Sequence, residues 1–416
     1  MHRWLFFWRK LARRIWFRVG LYGLAGGGAA LLATLFGRFV PDEVSERLGG
    51  PNVEGLLTIL ANSLLAVAIF SAGAMVTAYT AVSSNITPRA AGLVTTDPRL
   101  QGALSTFVGG FLYAIVALTA IGSSYYGKDG RTIVYIITLA VVGLVSVNIL
   151  LIIDRLARIA RIDFIVERIE SQTTKALRAR ADWERVTAAP DPSLGPITGA
   201  VTSDKVAYVQ NVDPAALQNA ARTAGVKVEV VAPPGAMVGV GGTLLTVHGG
   251  DADEACLDAM RSAFALGDGR SFDQDPRFGL IVLGEVAARA LSPGVNDPGT
   301  AIAVVRAGVA LMTSWDLVCR EADAARPEEP RVFARPLAAD DLLGDVFTPI
   351  ALYGSGDIAV ALRLQKAMSL VGVLSGVGLA DAAKNFSTDA LARAKLAMAH
   401  AGDIERLIAS GQSSSD

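Results

Sequence analysis

The segment Leu56–Thr87 is long, apolar and free of charged side chains, yet polar residues recur along it at regular intervals. On a helix with about 100° per residue, its small or polar positions fall within one arc of roughly 100°. This polar stripe consists of Thr58, Asn62, Ala66, Ile69, Gly73, Thr77, Thr80 and Ser84. The opposite side is bulky and should face acyl chains: Leu56, Leu57, Leu60, Leu64, Val67, Met75, Tyr79 and Val82. Because an unpaired hydroxyl or amide is costly in hydrocarbon, the polar stripe should face protein or water.

The polar stripe has two interpretations. In the first, its small residues allow close packing between helices, and its hydroxyl and amide groups bond across that contact. In the second, several copies of the chain assemble and the stripe forms a pore wall. Ile69 is the one large side chain on the stripe, so it would be the hydrophobic constriction of that pore.

The rest of the N-terminal third is also apolar. The whole chain is 52% hydrophobic and 19% charged, more apolar than an average soluble protein. We predict four membrane spans within residues 19–153: Val19–Val40, Leu56–Val82, Gly102–Ser123 and Thr132–Ile153. The segment Ser83–Gln101, between the second and third spans, is predicted to be a loop. Apart from Arg38 near the end of the first, the four spans contain no charged residue, which argues against a proton relay or an ion-coupled transporter.

Basic residues set the expected orientation. Residues 1–18 mix arginines with tryptophans and phenylalanines and are interpreted as an interfacial anchor. A signal peptide is the alternative, but no convincing cleavage site follows the long charged region. Arginines also follow the fourth span. The positive-inside rule therefore predicts a multi-pass protein of the bacterial inner membrane with both termini in the cytoplasm.

The remaining chain changes its periodicity several times. Residues 154–195 connect the membrane domain to the rest of the chain. They are predicted to comprise most of an amphipathic helix at Ile152–Trp183, whose first two residues overlap the fourth span, and a linker after it. Residues 196–250 contain short strands at Val206–Gln210, Val226–Val231 and Thr243–Val247 and resemble half of a small β-barrel or sandwich. A small helix is predicted at Pro214–Ala224, between these strands. Residues 251–410 are predicted to be helical, with helices that include Pro276–Leu291, the long apolar Thr300–Cys319 and Ser387–Ala409. Residues 411–416 are predicted to be a disordered tail. The expected fold is a four-helix membrane domain joined to a cytoplasmic α+β domain.

Two polar segments of the helical region form a candidate ligand site. One contributes Asp273, Asp275 and Arg277, and the other Asn296, Asp297 and Thr300. Their oxygens could hold a cation, and the backbone N–H groups that open the helix after Asp297 could hold an anion. The structural alternative is that Asp297 caps a helix that begins at Pro298 and that Arg277 pairs with an aspartate.

The sequence offers no catalytic or metal-binding set. Cys256 and Cys319 are far apart, and the three histidines are scattered, so we predict no metal site, no cofactor and no enzyme activity. Ser203–Lys205 resembles the modified-lysine hairpin of biotinyl or lipoyl domains only superficially, because the halves of the domain are in the wrong order. The net charge of −1 gives no reason to expect a nucleic-acid partner.

Four motifs together resemble those of the bacterial membrane proteins grouped as the domain-of-unknown-function 2254 family. They are NITPR at Asn85–Arg89, SFDQDPRFG at Ser271–Gly279, LSPGVNDPGTA at Leu291–Ala301, and YGSGDIAVALRL at Tyr353–Leu364. The resemblance covers about residues 5–405. It implies a membrane protein but no particular activity.

We therefore expect a homo-oligomeric channel or pore-like protein that conducts ions or a small solute across the lipid bilayer. The second span would line its axis, and the cytoplasmic domain would gate or filter. The alternative is a membrane-tethered scaffold or sensor whose cytoplasmic domain binds a ligand or partner.

Overall fold

The computed structural model describes residues 15–37, 52–159, 161–190, 194–323, 330–376 and 378–412. The described chain divides into two compact units that meet between Phe164 and Ile165. The predicted anchor lies outside the described residues up to residue 14, and residues 15–18 form the start of the first helix. The last four residues of the predicted tail also lie outside them.

Among the described residues, the N-terminal unit contains five helices that precede the one spanning the boundary between the two units. They are α1 (Ile15–Gly37), α2 (Asn52–Asn85), α3 (Pro88–Thr95), α4 (Pro98–Gly122) and α5 (Lys128–Ile159). The short helix α3 was predicted as loop. It forms because Thr87 accepts a hydrogen bond from the backbone N–H of Arg89 and Pro88 occupies the first turn.

Helix α4 is the centre of the N-terminal unit, since α1, α2 and α5 all pack against it. Glycine allows the closest of these contacts. A Cβ atom on Gly26 would lie 2.5 Å from the carbonyl oxygen of Gly109, so the backbones of α1 and α4 approach directly. The Tyr113 hydroxyl of α4 donates to the carbonyl of Val134 in α5 at 2.8 Å, which pairs a polar group inside an apolar bundle.

An ion pair joins the beginning of α4 to the end of α5. Asp97 is buried, caps α4 by accepting from the backbone N–H groups of Arg99 and Leu100, and pairs with Arg155. The Arg155 guanidinium also lies 4.4 Å from the ring centre of Phe164. The start of α4 and the end of α5 therefore lie at the same end of the bundle.

Among the described residues, four helices are long and apolar enough to cross a membrane: Val53–Ser84, Pro98–Gly122, Asp129–Ile159 and Pro298–Glu321. The first three correspond to the second, third and fourth predicted spans, of which only the third extends, by one residue, beyond the observed segment. Residues 19–37 of the first predicted span lie within α1, which begins four residues earlier at Ile15, and residues 38–40 lie outside the described residues. The helix beginning at Pro298 was predicted as a long apolar helix outside the membrane domain.

The C-terminal unit begins within α6 (Ile162–Glu184) and continues through two small sheets. The strands are β1 (Ile197–Thr202), β2 (Ala207–Val212), β3 (Lys227–Val230), β4 (Met237–Val238), β5 (Thr243–His248), β6 (Phe264–Gly267) and β7 (Val332–Ala334). One sheet has the order β1-β5-β3-β7, antiparallel except for the parallel pair β3-β7. The other has the order β4-β2-β6 and is antiparallel.

Helices α7 (Pro214–Ala224) and α8 (Glu254–Ser262) belong to the same small subdomain. Residues from both sheets and both helices share one apolar core, which includes Val209, Leu217, Val228, Leu245 and Met260. Small sheets are thus confirmed, and the specific barrel or sandwich layout stays a prediction. The predicted helix at Pro214–Ala224 has the observed bounds, whereas β1, β4 and β6 were not predicted.

The remaining helices are α9 (Pro276–Ala290), α10 (Pro298–Asp323), α11 (Ala339–Tyr353), α12 (Ile358–Gly372), α13 (Leu379–Ala397) and α14 (Ala401–Gln412). Helix α9 packs on α10 and α11, and α12 packs on α10, α13 and α14. The single helix predicted at Ser387–Ala409 is wrong, because the backbone is extended at Met398 and two helices form instead.

Candidate functional site

The polar stripe of α2 lies on the outer surface of the isolated N-terminal unit. All eight of its residues are exposed, and Ile69 is 65% exposed. The opposite face of α2 packs inside the chain through Leu57, Leu60 and Leu64. At about 100° per residue the stripe is centred almost opposite this buried face.

The expectation that the bulky side of α2 faces lipid is therefore wrong for most of its members. Leu57, Leu60, Leu64 and Val82 are buried in the chain's own bundle, and Leu56, Val67 and Met75 are half-buried. Tyr79 is exposed. The physical reason is that α4 and α5 cover this face, which removes its apolar surface from contact with any solvent.

The hydroxyl groups of the stripe are satisfied within α2. Thr58 donates to the carbonyl of Glu54 at 2.8 Å, Thr77 to Gly73 at 3.0 Å, and Ser84 to Thr80 at 2.8 Å. Thr80 does the same with the carbonyl of Val76 at 3.0 Å. Such bonds to the preceding turn let a hydroxyl face hydrocarbon at little cost. The hydroxyls therefore do not decide what the stripe faces.

Asn62 is different, because its side-chain amide makes no hydrogen bond within the described chain. Asn148 of α5 provides a contrast, since its amide donates to the carbonyl of Leu144 at 2.9 Å. Transfer of an unpaired amide from water to hydrocarbon costs roughly 4–8 kcal/mol. In hydrocarbon, the Asn62 amide would therefore need water or a partner beyond the residues that the structure describes.

Gly73 also packs against no other part of the chain that the structure describes. A Cβ atom at this position would meet no heavy atom within 4 Å, in contrast to Gly26 and Gly109. An exposed glycine inside a helix costs about 1 kcal/mol relative to alanine. A narrow place on the outer face of α2 suits the close approach of a second helix.

Asp275 is buried and acts as a structural group at the start of α9. It accepts from the backbone N–H of Phe278 at 3.1 Å and forms a two-point ion pair with Arg270, at 2.7 and 2.9 Å. Its carboxylate fills the space beside Gly235, where a Cβ atom would lie 2.4 Å from the carboxylate oxygen. Asp275 thus joins a helix start to a tight turn with φ +94° at Gly235.

Arg277 faces two aspartates of α11 rather than Asp275. Its Nε donates to Asp345 at 2.7 Å and its Nη1 to Asp341 at 2.7 Å. The hydrogen bond to Asp345 raises the pKa of Arg277 above its usual value. Burial raises the pKa of Asp345, and the bond from Arg277 opposes that rise. This pairing is the structural alternative that the sequence left open, with Asp345 and Asp341 as the partners.

The other half of the candidate ligand site lies at the far end of α9. Asp297 accepts from the backbone N–H of Thr300 at 3.1 Å and from its hydroxyl at 2.6 Å. These bonds, the hydroxyl first, lower the pKa of Asp297. Asn296 has a left-handed backbone with φ +50° in the preceding turn.

The structure does not bring the two halves together. Asp275 precedes α9 and Asp297 follows it, and a helix of 15 residues is about 22 Å long. Asp273 belongs to the first half, where its backbone N–H contacts the hydroxyl of Ser271. The six residues are therefore two separate helix-start clusters rather than one site.

A cavity of about 740 Å³ lies elsewhere in the C-terminal unit, on the outer face of α12. Its apolar lining consists of Ile302, Ala359, Leu362, Leu370 and Val373, and its polar lining of Arg363, Lys366, Ser369 and Ser410. Sequence reasoning missed it because α12 alone shows only an amphipathic helix. A signal was present, since Arg363 and Lys366 interrupt an otherwise apolar face.

Within the described residues, no group of three or more histidine, cysteine or acidic side chains is placed to hold a metal ion. Most titratable side chains near the two helix-start clusters already have partners within the chain. The cavity on α12 and the polar stripe on α2 are thus the features that the internal packing of the chain does not explain.

A family model described as "Predicted membrane protein (DUF2254)" matches residues 12–369. The chain belongs to this family. Three uncharacterized proteins, one from Mycobacterium bovis and two from strains of Mycobacterium tuberculosis, are 44% identical to it over 64 residues. The match covers 15% of this chain and 12% of each relative. No solved structure matches the chain.

Membership confirms the resemblance noted in the sequence and establishes a membrane protein with apolar helices. It brings no activity with it, because the family description states none. Any function must therefore be argued from the side chains of this chain.

Proposed function

We propose that this DUF2254 member is a homo-oligomeric channel of the bacterial inner membrane, with α2 lining its axis. The observation that carries the proposal is Asn62, an exposed amide on a long apolar helix with no hydrogen-bond partner among the described residues. Assembly of several copies around α2 would give this amide either pore water or the same residue of a neighbouring copy.

The other members of the stripe support the same arrangement. Gly73 leaves room beside α2 for another backbone, and the bound hydroxyl groups of Thr58, Thr77 and Thr80 still offer lone pairs to water. Ile69 is the one large apolar side chain on the stripe. A ring of Ile69 residues would close the axis by excluding water.

The outer surfaces of the other helices suit lipid. Helix α5 exposes Ile136, Leu139, Leu144, Val147 and Leu150, which are stable against acyl chains. In this arrangement α5 faces the bilayer and α2 the axis. The C-terminal unit would lie in the cytoplasm and gate or filter the pathway.

The proposal predicts that Ile69→Asn opens a leak. A polar ring at the constriction would remain hydrated, so purified protein in a planar bilayer should conduct where the unmodified protein is closed. Ile136→Asn is the matched control, because it places the same amide on the exposed face of α5. If both folded variants leave the bilayer equally tight, the gate assigned to Ile69 does not exist.

A second candidate function is a membrane-tethered sensor whose C-terminal unit binds a ligand. The observation in its favour is the cavity on α12, whose volume of about 740 Å³ lies in the range of small-molecule sites, roughly 300–1,000 Å³. The two functions are compatible, since a ligand could control a channel.

A further inference from the structure

We propose that the cavity on α12 binds an anionic amphiphile, a molecule with one carboxylate or phosphate head and an apolar body. The inference rests on the ligand-binding alternative above and is independent of the pore assigned to α2. Three features of the cavity support it, namely its shape, its exposed apolar surface and its two cations.

The floor of the cavity is one continuous face of α12. Its residues from Ala359 to Val373 recur at intervals of three or four, so they lie on one side of the helix over a length of about 21 Å. The opposite face, with Val360, Leu364 and Val371, is buried in the helical layer. Ile302 of α10 and Ser410 of α14 form the walls. The result is a long groove that suits an extended molecule.

The groove leaves large apolar side chains in water. Val373 is 79% exposed and Leu370 is 49% exposed, and both lie at the same end of the floor. Covering apolar surface is favourable in proportion to its area. An occupant with an apolar body would gain this contribution by lying along the groove.

Arg363 and Lys366 stand one turn apart in the middle of the floor. Neither has an ion pair or a side-chain hydrogen bond within the described chain. Other exposed arginines of this unit do have acidic partners, as Arg393 has with Asp389 at 2.7 Å. Two like charges at this spacing repel each other, and an anion between them would relieve that repulsion. The neighbouring Ser369 hydroxyl could donate to the same anion.

The test uses octanoate bearing a diazirine on its chain, added to the full-length protein in nanodiscs of phosphatidylcholine. After irradiation, mass spectrometry of tryptic peptides identifies the labelled residues. We expect labelling of α12 that unlabelled octanoate competes away and that octanamide, its uncharged counterpart, competes away at least tenfold less effectively. Labelling confined to the membrane helices, or equal competition by octanamide, would overturn the proposal.

Substitutions test whether labelling of α12 requires the positive charges of Arg363 and Lys366. Arg363→Gln with Lys366→Gln should lower α12 labelling at least tenfold, and the control Arg393→Gln should leave it unchanged. Full labelling in a folded double variant would contradict the assignment. If the double variant does not fold, the comparison of octanoate with octanamide on the unmodified protein still decides. Retained conductance alongside lost labelling would separate this site from the channel.

Two sources could supply such a molecule. Nanodiscs that contain phosphatidylglycerol distinguish them, since an anionic lipid that occupies the groove would suppress octanoate labelling. Suppression would identify a lipid, and labelling that persists would identify a soluble amphiphile. Both results support an anionic amphiphile as long as octanamide competes poorly.

Discussion

At the scale of single residues, Asp–Pro pairs begin four helices of this chain. Asp97, Asp213 and Asp275 each precede a proline and accept a hydrogen bond from a backbone N–H in the first turn. Asp297 makes the same bond with Thr300 ahead of α10. These carboxylates satisfy N–H groups that a helix start leaves unpaired. This shared role explains why two aspartates of the candidate ligand site are structural.

The lowered pKa of Asp297 makes its contribution dependent on pH. The pKa of Asp297 in the folded protein lies below the unfolded value of about 3.9, so the ionised carboxylate stabilises the fold above that pH. This stabilising contribution is lost as the pH falls through the folded pKa. Asp297→Ala should lower the free energy of unfolding at pH 7 by about 1 kcal/mol, and Asp297→Asn by much less. Denaturant unfolding at pH 7 and pH 3 checks this. If Asp297→Ala lowered the free energy of unfolding as much at pH 3 as at pH 7, the ionised carboxylate would not be the stabilising cap.

At the scale of elements, glycine determines how closely the helices of the C-terminal unit pack. A Cβ atom on Gly279 of α9 would lie 1.9 Å from the hydroxyl oxygen of Thr173, which is fully buried on α6. The contact joins α6, the first helix of the C-terminal unit, to α9, which packs on α10 and α11. Neither residue tolerates added volume there.

We predict that Gly279→Ala destabilises the protein by roughly 1–3 kcal/mol, the usual cost of overpacking. Gly344→Ala is the matched control, because the new methyl group in α11 would meet its nearest neighbour at an ordinary 3.7 Å. Adding Thr173→Ala should recover part of the loss, so the two substitutions should be non-additive in a double-mutant cycle. Strict additivity would mean that the helices do not meet at this contact.

The elements also show what the sequence could predict. Helices with a strong apolar period and an Asp–Pro start were predicted within one or two residues, as with α7 and α9. Strands β1, β4 and β6 were missed because they are short, and they are specified by partners distant in sequence rather than by their own pattern. The polar stripe was recognised as a pattern. Which face of α2 the chain itself covers could not be predicted, because that depends on the packing of α4 and α5.

The cavity on α12 was missed for the same reason. Arg363 and Lys366 are ordinary surface residues in the sequence, and only the positions of α10 and α14 make them part of a groove. The two cations interrupt the apolar face of α12 in the sequence, but no single helix specifies a concave site that three helices form together. For the candidate ligand site, the sequence grouped residues of suitable chemistry that the structure places in two clusters at opposite ends of α9.

At the scale of the whole molecule, the N-terminal unit presents two kinds of outer surface. Helix α5 exposes mainly large apolar side chains, with Gly143 and Ser146 among them, whereas α2 exposes several hydroxyls, Gly73 and the Asn62 amide, which has no partner among the described residues. In a single copy surrounded by lipid, the described residues would leave the Asn62 amide without a hydrogen bond. An assembly around α2 removes that cost and leaves α5 facing acyl chains.

The most direct test measures what surrounds Asn62 in a bilayer. A nitroxide would be attached at Asn62→Cys, and separately at Leu150→Cys on α5, with Cys256 and Cys319 replaced by serine. Oxygen, which concentrates in lipid, and a water-soluble nickel chelate would be compared as relaxing agents by electron paramagnetic resonance. We predict that oxygen relaxes the label at position 150 but not the label at position 62. The label at position 62 should either be relaxed by the nickel chelate, if it faces pore water, or be protected from both agents, if it is buried against another copy. Equal and high oxygen accessibility at both positions would place the polar stripe against lipid and contradict the channel.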